Sequence, residues 1–275
     1  MQEYMQKVST GFDIVDVNDI KLLKIPSFSR EGFLKHCFTS RVGGVSEGCF
    51  ASLNLSKTRE ANEANKRENY KRVCDAIGVE YDSLTLVNYA HGNGVHCATA
   101  QDAGKGIDRE SDFAPCDGMV TDAPAVTVLT LHADCMPVFV ADRRTRAAGV
   151  CHAGWKGVSM NIAAGMLQKL KNGYGSKPED ILVGIGPHIM DCCFEVQEDV
   201  AGVFRNAFGG GVIEQKEGKL FVNLQRAVLM QLKEAGIPPE NITCANLCTS
   251  CRDDLFFSHR RDRGMTGAMG SFITV

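Results

Sequence analysis

The sequence predicts an α+β fold in which mixed β-sheets pack as a sandwich with helices on the outside, a single domain over residues 1–275. Three observations carry this. Short β-rich runs alternate with helical patterns along the whole chain. Several runs, such as "AVTVLTLHAD" (125–134) and "PVFVAD" (137–142), are too uniformly apolar to be half-exposed, so both faces of those strands must be covered. No repeat at a fixed period and no low-complexity linker divides the chain, and 275 residues with 44% hydrophobic content can bury a large core.

The elements follow in order. "IKLLKIPSF" (20–28) and "FLKHCFTSR" (33–41) read as an N-terminal strand pair. From Glu60 to Val79, Tyr70, Val73, Cys74 and Ile77 fall on one helical face, which predicts a surface helix. Strands are expected at "SLTLVNYA" (83–90), "DGMVTD" (117–122), the two apolar runs above and "RAAGVCHAG" (146–154). In "WKGVSMNIAAGMLQKLKNGYG" (155–175), Val158, Ile162, Met166, Leu167 and Leu170 predict one continuous helix ended by glycine and packed on the sheet. The alternation continues through "DILVGIGP", "CCFEV", "QEDVAGVFRNAF", "KLFVN", "LQRAVLMQLKEAG", "NITCANLC" and a terminal strand "GSFITV". In "DCCFEV" (191–196) a strand would send Cys192 and Cys193 to opposite faces, which makes them packing residues.

Charge excludes some functions. Thirty Lys and Arg against 33 Asp and Glu leave a net charge of −3 and no global basic face, so nucleic acid and anionic membrane are not expected partners. The first residues are polar and acidic without a signal-peptide pattern, and no stretch approaches a membrane span; a cytoplasmic location is expected. Twelve cysteines are then thiols that pack, ligate metal or act as nucleophiles. Cys248 and Cys251 form a C-x-x-C pair, but no second C-x-x-C or H-x-x-H completes a four-ligand set, so no structural zinc is expected there.

The chemistry-bearing residues sit at strand ends. Asp134, Cys135 and His152 close apolar runs, and His91 in "NYAHGNGVH" stands at another strand end followed by glycine. Two histidines and a cysteine suffice for an open three-ligand zinc site. On these residues alone, a buried packing thiol and a loop histidine satisfied by a carbonyl is the more ordinary reading.

Five blocks, "FTSRVGGVSEGCFASLNLS" (38–56), "HADCMPVFVAD" (132–142), "CHAGWKG" (151–157), "GIGPHIMDCCFEV" (184–196) and "FFSHRRDRGMTG" (256–267), resemble in order the signature of the YfiH-type family. That family was labelled laccase-domain or multicopper polyphenol oxidase and is understood as purine nucleoside phosphorylases that also deaminate adenosine. The resemblance implies a mixed α/β sandwich with external helices, zinc held by His91, Cys135 and His152, and purine nucleosides and phosphate as small-molecule partners. It also implies a catalytic role for Arg261. This chain departs from the usual pattern with Tyr89-Ala90 before His91, Lys156 in place of a frequent arginine, and His188 where cysteine is usual.

Phosphorolysis needs donors for phosphate and for charge at the reacting centre. Arg261 and then Arg41 beside "VGG" are the forked donors expected to serve, with Lys156, His188, His259 and Arg260 as further candidates for substrate or phosphate contact. Deamination asks for a metal-activated water, with Asp134 shuttling protons or orienting a ligand. Two rival enzymes are weighed. A four-copper oxidase draws on His-x-His pairs, and this chain has seven histidines and none in that pattern, although His91, Cys135, His152 and Met136 match a blue-copper ligand set, so copper is an alternative metal. A cysteine hydrolase would pair Cys135 with His152, but a zinc-bound thiolate is quenched for attack. A non-enzymatic binding protein is the third reading. The cytidine-deaminase signature is absent.

Overall fold

The computed structural model describes residues 1–275 and places two mixed sheets face to face with helices on their outer faces. One sheet has seven strands in the order Ser9–Thr10, Ile242–Cys244, Ile181–Ile185, Met136–Asp142, Ala148–Ala153, Gly118–Thr121 and Val95–Cys97. The other has six, in the order Asp13–Val17, Ile20–Lys24, Lys35–Thr39, Met269–Thr274, Thr127–His132 and Leu84–Leu86. A three-stranded sheet, Glu195–Val196, Lys219–Val222 and Ile213–Lys216, lies apart from these.

The alternation of side chains explains why the central runs are apolar throughout. Along Met136–Asp142, Val138 and Val140 face a core built with Ile162, Met166 and Leu170 of the helix Ile162–Tyr174 and Val228 and Leu232 of the helix Leu224–Glu234. Phe139 and Ala141 point the other way, into the space between the sheets with Phe28, Phe38, Val128, Phe256 and Met269. Each residue is therefore covered, whichever face it occupies. On the far side of the second sheet, Leu129 and Phe272 meet Tyr70, Val73, Cys74 and Ile77 of the helix Glu63–Ile77. That helix starts where the Asn62 side chain accepts from the Ala64 and Asn65 amides, and stops at Gly78 with φ of 70°.

Four local expectations fail. The strand expected over 83–90 is only Leu84–Leu86, and the one expected over 20–28 ends at Lys24, before a short helix Pro26–Ser29. The segment 155–175 is two helices, Trp155–Ser159 and Ile162–Tyr174. The break falls at Asn161, which takes a left-handed φ of 62°, while Asn93 Nδ2 donates to the freed Met160 carbonyl at 2.7 Å. Residues 191–193 form a turn, not a strand: the Cys193 and Phe194 amides both donate to the Met190 carbonyl, at 2.9 and 2.8 Å. No helix of the chain is long and apolar enough to cross a membrane.

Candidate active site

The segment Ala133-Asp134-Cys135 is where the chain changes sheets. Thr127–His132 belongs to the six-stranded sheet and Met136–Asp142 to the seven-stranded one, so three residues make the corner. Asp134 takes a positive φ of 89° there. Its carboxylate is gripped by Thr249 Oγ1 at 2.6 Å, Ser258 Oγ at 3.0 Å and the Arg260 amide at 2.7 Å, and its carbonyl accepts from the Ile189 amide at 2.9 Å. Those bonds hold two distant loops to the corner. Both oxygens of the Asp134 carboxylate are thereby occupied by donors.

Cys135 is fixed through its backbone. His132 Nδ1 lies 3.0 Å from the Cys135 carbonyl, which can only accept, so Nδ1 carries the proton and Nε2 accepts from Thr130 Oγ1 at 2.7 Å. Burial, reinforced by charge on nearby His152, holds the His132 pKa far below its ordinary value, and the ring is neutral.

His152 and His91 are organised by one buried carboxylate, Asp117. Its Oδ2 accepts from the Gly92 and Ala90 amides at 2.7 and 3.2 Å, and its Oδ1 accepts from the His91 amide at 3.1 Å and lies 3.4 Å from His152 Nδ1. The loop can therefore hold His91 at a left-handed φ of 53°. The His91 and His152 rings stand edge to face with centroids 5.7 Å apart, and Tyr89 packs its ring edge-on to His152 at 5.0 Å. Burial alone would depress the His152 pKa, but the negative charge of Cys135 and the hydrogen bond and charge of Asp117 outweigh it and raise it to about 10. The position favours positive charge.

These features test the fit of a metal. Two imidazoles bound to one ion at about 2.0–2.1 Å set their centroids about 5 Å apart, close to the separation found, and a carboxylate behind the outer nitrogen of a ligand histidine is the usual support. His91, Cys135 and His152 line one cavity of about 340 Å³, walled by Trp155, Ile189, Phe194 and Leu224. The donor types are those zinc takes, although the His91, Cys135 and His152 ligand atoms do not all lie within 4.8 Å of one another. The cavity adjoins a larger cleft of about 850 Å³ across two shared residues, Ala133 and His259, and that cleft is edged by Lys57, Arg59 and Arg109 together with Asp108 and Glu110.

Several expected residues are elsewhere. Arg261 is turned inward: all five of its N–H donors are spent, on the Thr249, Ser250 and Phe256 carbonyls and on both oxygens of Asp262, and it lines neither space. Arg41 likewise donates to the Ala51 and Asp253 carbonyls and lies over the Phe257 ring, away from the cavity. Lys156 is exposed on the outside against Trp155. His188 is buried with Nδ1 2.9 Å from the Gly186 carbonyl; burial lowers its pKa to about 4, and it lines neither space. His259 and Arg260 do line the cavity, with Arg260 over the Phe194 ring. The expectation that Cys248 and Cys251 lack partners also fails, because the Cys192 and Cys193 sulfurs gather with theirs.

Sequence reasoning missed Asp117, Lys57 and Arg59. Asp117 had one legible signal, an acidic residue directly before a strand that is wholly buried. Nothing local marks Lys57 or Arg59.

Comparison with known proteins decides the family. The family described as multi-copper polyphenol oxidoreductase laccase matches residues 35–275. The chain belongs to this YfiH-type, laccase-domain family. It is 33% identical over 243 residues to a protein of Geobacillus stearothermophilus named purine nucleoside phosphorylase YlmD, covering 86% of this chain and 88% of that one. A Deinococcus radiodurans protein named purine nucleoside phosphorylase is 34% identical and covered to 92%, as is this chain. The crystal structure of Bacillus licheniformis YfiH superposes with a TM-score of 0.87 at 34% identity, covering 95% of this chain and 98% of that one. In this laccase-domain chain the histidines cannot furnish a four-copper oxidase. His36 accepts from the Ile25 amide, His96 faces Asp102, and His132 and His188 are engaged as above, so only His91, His152 and His259 remain for the cavity.

Proposed function

We propose that the chain is a zinc-dependent purine nucleoside phosphorylase, taking adenosine and inosine, with guanosine and methylthioadenosine as further candidates, to free base and pentose 1-phosphate, and that it also deaminates adenosine. The observation that carries this is the pairing of a His-Cys-His cavity with an adjoining cleft that holds Arg59 and Lys57, in a chain 33–34% identical to proteins named purine nucleoside phosphorylase.

His91, Cys135 and His152 would hold the zinc. When bound, zinc supplies Lewis-acid activation of water near neutral pH, which deamination needs. The remaining work falls to the chain. Trp155, Phe194, Ile189 and Leu224 offer flat and apolar walls for a purine. In the cleft, Arg59 spends one nitrogen on the Thr266 carbonyl and keeps its other donors for an anion, with Lys57 nearby. His259, on the wall common to both spaces, is the group that would pass a proton to the departing base. Arg260 adds positive charge at the same edge.

Metal analysis combined with a nucleoside panel tests the reading. Adenosine in phosphate-free buffer should give inosine and ammonia without free base, and added phosphate should give adenine or hypoxanthine with ribose 1-phosphate. Cys135→Ala should lose the metal of this cavity and both activities while remaining folded. Free base released at full rate without phosphate would make the enzyme a hydrolase. Copper-dependent oxygen uptake on a phenol, lost in His152→Ala, would restore the oxidase.

A further inference from the structure

We propose that Cys192, Cys193, Cys248 and Cys251 form a second, closed, four-thiolate zinc site that pins the turn 190–194 to the loop 246–252 beside the active-site corner. The four sulfurs lie within 4.8 Å of one another, with Cys251 Sγ 3.4 Å from Cys193 Sγ and 3.6 Å from Cys192 Sγ. Four thiolates at about 2.3 Å from one zinc sit at tetrahedron corners about 3.8 Å apart, so the cluster already has the dimensions of a loaded site.

The cluster exists because residues 190–194 turn. Adjacent side chains diverge by 180° on a strand but by only about 100° where the backbone coils like a helix, and both Cys193 and Phe194 donate to Met190 in that manner. Two neighbouring cysteines can then face one C-x-x-C pair. The register is fixed by bonds outside the thiols: the His188 amide donates to the Leu247 carbonyl at 3.2 Å and the Thr249 amide to the His188 carbonyl at 3.0 Å; the Met190 amide also donates to Cys248 Sγ at 3.5 Å. An N–H directed at a sulfur suits a thiolate.

Packing accounts for buried Cys248 but not for the other three. Cys37, Cys74, Cys151 and Cys244 lie buried in the apolar core, whereas Cys192 and Cys251 are exposed and Cys193 is half-buried. Exposed free thiols without a task are a liability. Four thiolates fill a tetrahedral ion completely and leave no position for substrate, so the site is structural. Its consequence is local. Thr249, next to Cys248, grips the Asp134 carboxylate; Ile189 and Phe194 wall the active cavity; and the Cys193 carbonyl accepts from Arg260 at 3.2 Å.

Metal stoichiometry under reducing conditions tests this. The intact protein should carry one zinc more than Cys251→Ser, whatever the occupancy of the His91 cavity. Cys135→Ala should still take up one equivalent of cobalt with tetrahedral visible bands and thiolate charge transfer, and Cys135→Ala combined with Cys251→Ser should take up none. A readout without variants is alkylation mapped by mass spectrometry, in which zinc should block Cys192 and Cys251 and a chelator should release them. Equal alkylation with and without zinc, unchanged stoichiometry in Cys251→Ser, or a disulfide joining Cys251 to Cys192 or Cys193 in protein isolated without air would each overturn the site.

Discussion

Replacing Asp117 with asparagine keeps the volume and removes the charge at the point that organises both histidines. In the native carboxylate one oxygen takes the Ala90 and Gly92 amides and the other takes the His91 amide and faces His152 Nδ1. The Asp117 pKa is lowered: burial opposes this, but the hydrogen bond to His152, the Gly92 amide and the charge of His152 prevail. In Asp117→Asn the amide oxygen can keep Ala90 and Gly92, which leaves the NH2 against the His91 N–H and the His152 ring. Two hydrogen bonds to a charged group are lost at about 1.5 kcal/mol or more each, roughly 3 kcal/mol in sum. At about 2–4 °C per kcal/mol, the metal-free protein should melt roughly 6–12 °C lower. The new NH2 also draws a lone pair from His152 Nδ1, which moves the ring proton to Nε2, the nitrogen a metal would need. Loss of such a supporting carboxylate costs about 10–100-fold in metal affinity. Competition with a chromophoric chelator, alongside thermal melts of metal-free protein, reads both numbers. Zinc affinity within about twofold of the parent, together with an unshifted melt, would refute the assignment of Asp117 as the organiser of the pair.

The neighbouring arginines should separate by assay. Arg261→Lys cannot reproduce five directed donors, so it should lower the melting temperature, while Arg260→Ala should leave the melt near that of the parent and cut phosphate-dependent kcat/KM by about tenfold or more; the reverse pattern would return the catalytic role to Arg261. Away from the site, Asp102 accepts from Lys105 Nζ at 2.9 Å and the Thr99 amide at 2.8 Å, and faces His96 Nε2 at 3.3 Å. Burial would raise its pKa, but the bonds to Lys105, Thr99 and His96 hold it at about 2 against an ordinary 3.8. A depressed folded pKa contributes stability above the unfolded value that is lost as pH falls toward the folded one. Asp102→Asn should therefore destabilise at neutral pH and progressively less between about pH 4 and 2 in urea unfolding; a constant difference across that range would exclude the carboxylate as its source.

Much of the fold was legible because burial on both faces leaves a local record. Runs such as "PVFVAD" can only be central strands, and the spacing of Tyr70, Val73, Cys74 and Ile77 names the covered face of its helix. The break at Asn161 was not legible, since every apolar position on either side still obeys one helical stripe and the interruption rests on a bond from distant Asn93.

For the site, the sequence by itself determined that Cys135 and His152 stand at strand ends, because apolar runs that stop at a polar residue mark where a strand leaves the core, whereas His91 lies in a loop five residues beyond Leu86. Only the tertiary structure decided the rest. Asp134 is joined to Thr249 across 115 residues and to Ser258 across 124, and these bonds aim Arg260 at the cavity and fold Arg261 into the protein. The same loops bring Cys251 to Cys193 across 58 residues. Composition and periodicity record what a residue's own segment must bury, whereas the direction of a loop side chain is set by hydrogen bonds to partners that are near only after the sheets have closed.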